Sequence, residues 1–229
     1  MTTLLGRNVN QALELAHYAR NFMDKGEPSK SVLQRTKMFH TDSVLCGISA
    51  LALRTNAPTV LRKEALEMFP QPLTKRSHFP FKAQLFGQSM YSTVTKAIAA
   101  NCSAVREWDS NGTVFGFRAT HPEHQAGEFG HNDFYPVVIA AAEQNPEIDG
   151  KKALKAMVLL DEIRGRLAES FSLKTYKIDH VVHGAIASIC TYGALVEAKP
   201  EEIEHAIGMF VAHYIPWRAI RAGKQLSDS

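Results

Sequence analysis

NCSAVREWDSNGTVFGFRATHPEHQAGEFGHNDFYP (residues 101–136) places carboxylates, amides, hydroxyls and three histidines between two apolar runs. The run before it, SMYSTVTKAIAANCSAV (89–105), is built of small residues and reads as a buried helix. The run after it, PVVIAAAE (136–143), starts a second helix at Pro136. Between them Asp109, Asn111 and Thr113 open a polar loop punctuated by Gly127 and Gly130, which returns through His131, Asn132 and Asp133. Packed elements holding a polar loop form the arrangement in which chemistry commonly sits, because a rigid scaffold fixes the side chains.

Outward from this stretch the chain reads as helix throughout. VNQALELAHYARNFMD (9–24) has apolar residues in helical rhythm and is stopped by Lys25-Gly26-Glu27-Pro28. SVLQRTKMFHTDSVLCGISALALRT (31–55) follows with Ser29 as its cap, and its nearly all-apolar second half predicts burial in a multi-helix core. PTVLRKEALEMF (58–69) is a short amphipathic helix. PQPLTKRSHFPFK (70–82), with three prolines, is a connection where a small hairpin or an irregular arm fits. After the central loop, KKALKAMVLLDEIRGRLAES (151–170), DHVVHGAIASICTYGALVEA (179–198) and EEIEHAIGMFVAHYI (201–215) complete the series. Lys199-Pro200-Glu201-Glu202 marks a stop and restart, with acids where the helix dipole favours them. Strand-type alternation is nearly absent, so the expected class is all-α: one helical, bundle-like domain over residues 1–229 with no internal repeat.

Composition bounds the partners. The 229 residues carry a net charge of +3 with 45% hydrophobic and 21% charged residues, ordinary values for a globular protein. Lys and Arg are dispersed, so no nucleic-acid-binding stripe is expected, and no apolar run reaches membrane-spanning length. Cys46, Cys102 and Cys190 lie far apart in apolar runs, the pattern of buried thiols rather than of a disulfide framework. That usage suits the cytoplasm, with the mitochondrial matrix as the alternative. Residues 217–229, WRAIRAGKQLSDS, are cationic and polar, and read as the front of something longer.

Four blocks in order carry a family resemblance: HTDSVLCGISAL (40–51), ANCSAVREWDSNGT (100–113), GHNDFYPVVIAAAE (130–143) and IDHVVHGAIASICTYGALVEAKPEEIEHAIGMF (178–210). Together they resemble the MmgE/PrpD family, which includes 2-methylcitrate dehydratases and cis-aconitate decarboxylases. The resemblance implies the N-terminal helical domain of a two-domain protein, its lid domain absent from this chain. It also implies a lyase acting on a small di- or tricarboxylate and no cofactor, metal or iron–sulfur cluster; a homodimer is expected because helical surfaces left without the lid would be apolar and demand cover. Matched motif by motif, Asp109, Asn111 and Thr113 occupy the family's Asp-x-Asn-x-Thr positions. His131 matches the histidine of its His-Pro-Ser-Asp segment, and His180 that of its Leu-Asp-His helix. An active-site lysine is expected beyond Ser229, so residues 1–229 alone are expected to turn over weakly or not at all. Asn132 departs from the family's proline, and 113–130 is longer and richer in His and Gly than the pattern.

Dehydrating a 3-hydroxy acid removes a weakly acidic C–H beside a carboxylate and expels hydroxide. It needs a base, an acid and fixed positive charge near the developing dianion. Asp109, His131 and His180 are the expected catalytic groups, with Asn111, Thr113, Arg218 and Arg221 as substrate-binding groups, the arginines because guanidinium pairs with carboxylate bidentately. Plainer readings stand beside these. An aspartate at a helix end is commonly a cap, a histidine before a helix a capping neighbour, and Arg218, Arg221 and Lys224 a solvated face. Of His180 and His183, three apart on one helix, one is expected only to pack. His121, Glu123, His124, Glu128 and His131 invite a metal reading, as in a metal-dependent hydrolase, but their spacing is not HExxH. A non-catalytic helical oligomerisation module is the remaining alternative.

Overall fold

The computed structural model describes residues 8–68, 71–72, 81–110, 112–116 and 128–218. Among these it contains eight α-helices: α1 (Gln11–Lys25), α2 (Lys30–Ala52), α3 (Asn56–Met68), α4 (Val94–Arg106), α5 (Tyr135–Gln144), α6 (Gly150–Ser170), α7 (Val181–Leu195) and α8 (Pro200–His213). The all-α expectation holds, with two small sheets added. Strands β1 (Gln71–Pro72), β2 (Lys82–Gln84) and β3 (Met90–Thr93) form an antiparallel sheet in the order β1-β3-β2. Strands β4 (Gly112–Phe115) and β5 (Glu128–His131) pair antiparallel within the central stretch.

Local signals set the helix ends. Ser29 caps α2 as expected, its Oγ accepting from the Val32 N–H at 3.3 Å. Asp149 does the same for α6 through the Lys152 N–H at 2.8 Å. The Glu202 carboxylate reaches back to the Lys199 N–H at 2.7 Å, so acid at the third helical position closes the start of α8.

The main core joins α1, α5, α6, α7 and α8 around Ala16, Ala19, Tyr135, Val138, Leu159, Leu160, Ile163, Cys190, Leu195 and Ile203. Small residues permit the close approaches. A methyl group at Gly193 would lie 2.6 Å from the Ile203 side chain, so α7 and α8 meet there almost backbone to side chain. A smaller core of Ala65, Ala83, Leu85, Val94, Ala97 and Ala100 seats α3, α4 and the three-stranded sheet together.

Two expectations are corrected. Residues 90–93 are strand rather than the start of the small-residue helix, because Tyr91–Thr93 pair with Lys82–Gln84 before α4 begins. The second half of α2 is not enclosed: Leu45 and Ile48 are 61% and 59% exposed, and only Ser43, Gly47 and Ala50 turn fully inward there. Among the described residues no single helix is long and apolar enough to cross a membrane. The α2–α3 pair, which has the length and composition together, turns by 84° at its break.

Candidate active site

The β4–β5 ladder pairs Gly112 with His131 and Thr113 with Gly130. It therefore closes the central stretch on itself and brings the backbone of His131 opposite the strand that begins three residues after Asp109. Phe115 and Gly116 fix where that ladder sits. Gly116 has φ +75°, and a methyl group there would fall 2.5 Å from the Glu169 backbone nitrogen, so β4 runs directly onto the end of α6. That contact places buried Phe115 over Arg164 of α6, with 4.5 Å between the guanidinium carbon and the ring centre. Phe134 covers the same guanidinium at 4.9 Å. The Phe134 ring in turn lies against Gly184 of α7, where a methyl group would come within 2.3 Å of it.

Arg164, only 3% exposed, is thus held between two aromatic faces and sits in the fields of Asp133 and Asp161. Burial lowers its pKa, and the two carboxylates oppose that. One turn before it on α6, Asp161 accepts a hydrogen bond on Oδ2 from the phenol of buried Tyr135. Burial pushes the Asp161 carboxyl up to about 7, against the lowering effects of that hydrogen bond and of Arg164. Tyr135 is raised too, by burial and by the negative charge of Asp161. Its ring stands edge-on to Phe39 and His40 of α2 at centre distances of 5.8 and 5.9 Å.

A cavity of about 410 Å³ opens between α2, β4 and α6. Its walls include Arg35, Thr36 and Asp42 of α2, Ser110 and Thr113 of the central stretch, and Asp161. Small-ligand clefts have volumes of about 300–1,000 Å³ and combine apolar walls with a few convergent polar groups. Met38, Phe39 and Phe115 supply the apolar part here.

The expected site residues divide. Thr113 lines the cavity. Asp109 stands at the end of α4 in the left-handed region (φ +51°), its side chain 63% exposed and paired with Arg106 at 2.7 Å. Arg106 also approaches Asp133, at 4.0 Å. His131 is placed next to the cavity strand by its backbone pairing, while Asn111 and Arg221 lie outside the described residues. The same holds for Lys224, for His121, Glu123 and His124 of the metal reading, and for Gly127. Among the described residues no group of three or more His, Cys, Asp or Glu has metal-site geometry.

His180 lies apart from the cavity lining, in a second polar group at the start of α7. Its Nδ1 is 3.4 Å from Asp179 Oδ1, and Arg218 Nη1 is 3.9 Å from Asp179 Oδ2. Arg218 therefore meets a protein carboxylate instead of the cavity, and its backbone N–H donates to the Lys177 carbonyl at 2.7 Å. His183, 2% exposed, packs edge-on against Phe171 at 5.1 Å. Burial, helped by the charges of Arg164 and His180, pushes its pKa down to about 4, so it is a neutral packing histidine at neutral pH. It also links the two polar groups through Arg164.

Sequence reasoning missed Asp161, Tyr135 and Arg164. The signal was present as an aspartate and an arginine three apart in a largely core-facing stretch, Met157–Arg164, where charge is costly unless answered. Asn132, the departure from the family motif, has a clear structural use. Its amide donates to the Phe39 carbonyl and its own carbonyl accepts from Ser43 Oγ at 3.4 Å, so it ties the return of the loop to α2, the opposite wall of the cavity.

Residues 13–227 match the MmgE/PrpD N-terminal domain, nearly the whole chain and all four motif blocks in one stretch. With its helical fold and with Ser110, Thr113 and Phe115 of its central stretch lining a small-molecule-sized cavity, this chain belongs to the MmgE/PrpD family, as its N-terminal domain.

Proposed function

We propose that this chain is the helical domain of a lyase that acts on a small di- or tricarboxylate, by 2-methylcitrate-like dehydration or cis-aconitate-like decarboxylation. MmgE/PrpD proteins are generally lyases, and the observation that carries the reading here is the β4–β5 ladder. It sets the His131 backbone opposite Gly112, next to Thr113, at the edge of a cavity whose polar lining is three hydroxyls, one arginine and two carboxylates. In dehydration a base takes the proton from the carbon next to a carboxylate, the electron pair forms the new C=C bond, and hydroxide leaves with a proton from an acid. His131 and Asp109 are the proposed proton-transfer pair, with Thr113 and Asn111 holding a substrate oxygen and Arg106 paired with Asp109. In decarboxylation the same groups serve, with loss of CO2 generating the carbanion and a histidine returning the proton. His180 and Arg218, grouped at Asp179 away from this cavity, and Arg221 are proposed as further groups of the whole protein's site. A second domain closing over the helical one, a homodimeric assembly and a cytoplasmic or matrix location belong to the same proposal.

The non-catalytic module is the second reading, and the position of Asp109 favours it: its side chain is exposed, paired with Arg106 and outside the cavity lining. The two readings separate on turnover. Proton NMR of 2-methylcitrate, citrate and cis-aconitate with the natural full-length protein should show loss of one substrate. His131→Ala and Asp109→Asn should each cut kcat by at least about a hundredfold, the usual contribution of a positioned acid or base. A folded protein that leaves all three substrates untouched would favour the module.

A further inference from the structure

We propose that Asp161 is a ligand-binding acid of the α2–β4 cavity: it takes up a proton when a carboxylate enters and, as the neutral acid, donates a hydrogen bond to it. The proposal rests on the lyase reading in taking the ligand to be a carboxylate. Three observations carry it. Asp161 is part of the cavity lining, together with Arg35, Asp42 and Thr113. Its Oδ2 is already committed to the Tyr135 phenol, and its Oδ1 is buried with no hydrogen-bond partner among the described residues. The lining sets one cation, Arg35, against two carboxylates, Asp42 and Asp161, so with both acids ionised the cavity carries excess negative charge and repels an anion. Protonating Asp161 removes that excess and supplies a donor in one step. The proton comes from solvent onto Oδ1, and no covalent bond to the ligand forms.

The groups facing Asp161 make it the acid that changes state. From α5 comes Tyr135, a donor that stays protonated; from its own helix comes Arg164, which favours the anion. From α2 come Arg35, Asp42 and His40, the last held neutral by burial and packed on Tyr135. From α7, His183 acts on Arg164 rather than on Asp161, and Tyr18 of α1 faces Glu162 and Arg166 instead. These influences leave the carboxyl near 7 in the empty cavity, poised for an arriving anion to raise it further.

The test uses the full-length protein and tricarballylate, a tricarboxylate without the hydroxyl that a dehydratase needs. Calorimetry in buffers of different ionisation enthalpy counts protons bound per ligand. Close to one proton should be taken up at about pH 8, and affinity should fall by up to tenfold per unit between about pH 7.5 and 9. Asp161→Asn keeps a donor and still accepts from Tyr135, so it should bind with no uptake and a flat pH profile. Tyr135→Phe removes a hydrogen bond that favours the anion, so it should shift the uptake to higher pH and checks the result should the first variant fold poorly. Binding without uptake, uptake unchanged in Asp161→Asn, or no binding at all would overturn the proposal. Turnover of a natural substrate without proton-linked binding would sink the role of Asp161 and leave the lyase standing. Proton-linked tricarballylate binding without any turnover would do the reverse.

Discussion

Two titratable residues, buried His183 and half-buried Asp161, pull stability in opposite directions as pH changes. His183 titrates near 4 in the folded protein against an ordinary value of 6.5, so the unfolded chain binds the extra proton, and stability is lost as pH falls from about 6.5 to 4. Asp161 titrates near 7 against 3.8, so the folded protein binds the extra proton, and its contribution is lost as pH rises from about 4 to 7. At most His183 is worth about 3 kcal/mol and Asp161 about 4 kcal/mol, so over the shared window they largely offset. Urea unfolding of wild type should therefore vary little between pH 4.5 and 6.5, while Asp161→Asn loses stability toward acid and His183→Gln gains it. Parallel profiles for all three would contradict this assignment. Asn132 offers a simpler test: Asn132→Ala removes the amide that ties the loop return to α2 and should cost about 1–3 kcal/mol. His180 and His183 show what residue spacing conveys. That one of the pair merely packs follows from their three-residue separation on an apolar helix. That the packing member sits against Phe171 and Arg164 depends on elements far off in the chain.

Helices were legible because each carries its own signals: apolar rhythm, Ser29 as a cap, Pro200 and two glutamates at the start of α8. The β4–β5 ladder was not. Thr113-Val114-Phe115 pairs with Glu128-Phe129-Gly130 across a long separation, and so short a strand has too few residues for alternation to show. The opening of α4 was misread for a related reason, since Tyr91-Ser92-Thr93 continues the same small-residue run and only its sheet partners make it strand. Gly116 is the position on which the ladder's seat on α6 depends. Gly116→Ala combines a left-handed backbone with a methyl group driven into the Ala168–Glu169 backbone, and should cost about 1–3 kcal/mol or more. A lowered urea midpoint with unchanged slope is the expected result. Carboxylate binding should weaken alongside it, because β4 is a cavity wall. Full stability in that variant would mean that β4 does not rest on α6 as described.

At the scale of the whole molecule, the helical domain frames one polar region that runs from Arg106 through Asp133, Arg164 and His183 to Asp179 and Arg218. The cavity borders this line through Asp161. The exposed apolar stripe of Met38, Leu45 and Ile48 on α2 lies outside both cores. If the proposed homodimer forms, light scattering should give twice the chain mass of 25.4 kDa for residues 1–229, and the chain mass itself would contradict it. The family and the all-α class were readable from ordered motif blocks, whereas Asp161 was not, because its importance comes from lying between the Tyr135 phenol and the cavity. The central claim is that a carboxylate is transformed by groups gathered at the β4–β5 ladder. The most direct measurement is NMR-monitored turnover of 2-methylcitrate, citrate and cis-aconitate by the natural full-length protein, with His131→Ala and Asp109→Asn in parallel. Consumption of one substrate, abolished in both folded variants, is the predicted result. Undiminished turnover in those variants would contradict the placement of the proton chemistry, and a folded wild type that consumes none of the three would contradict the claim itself.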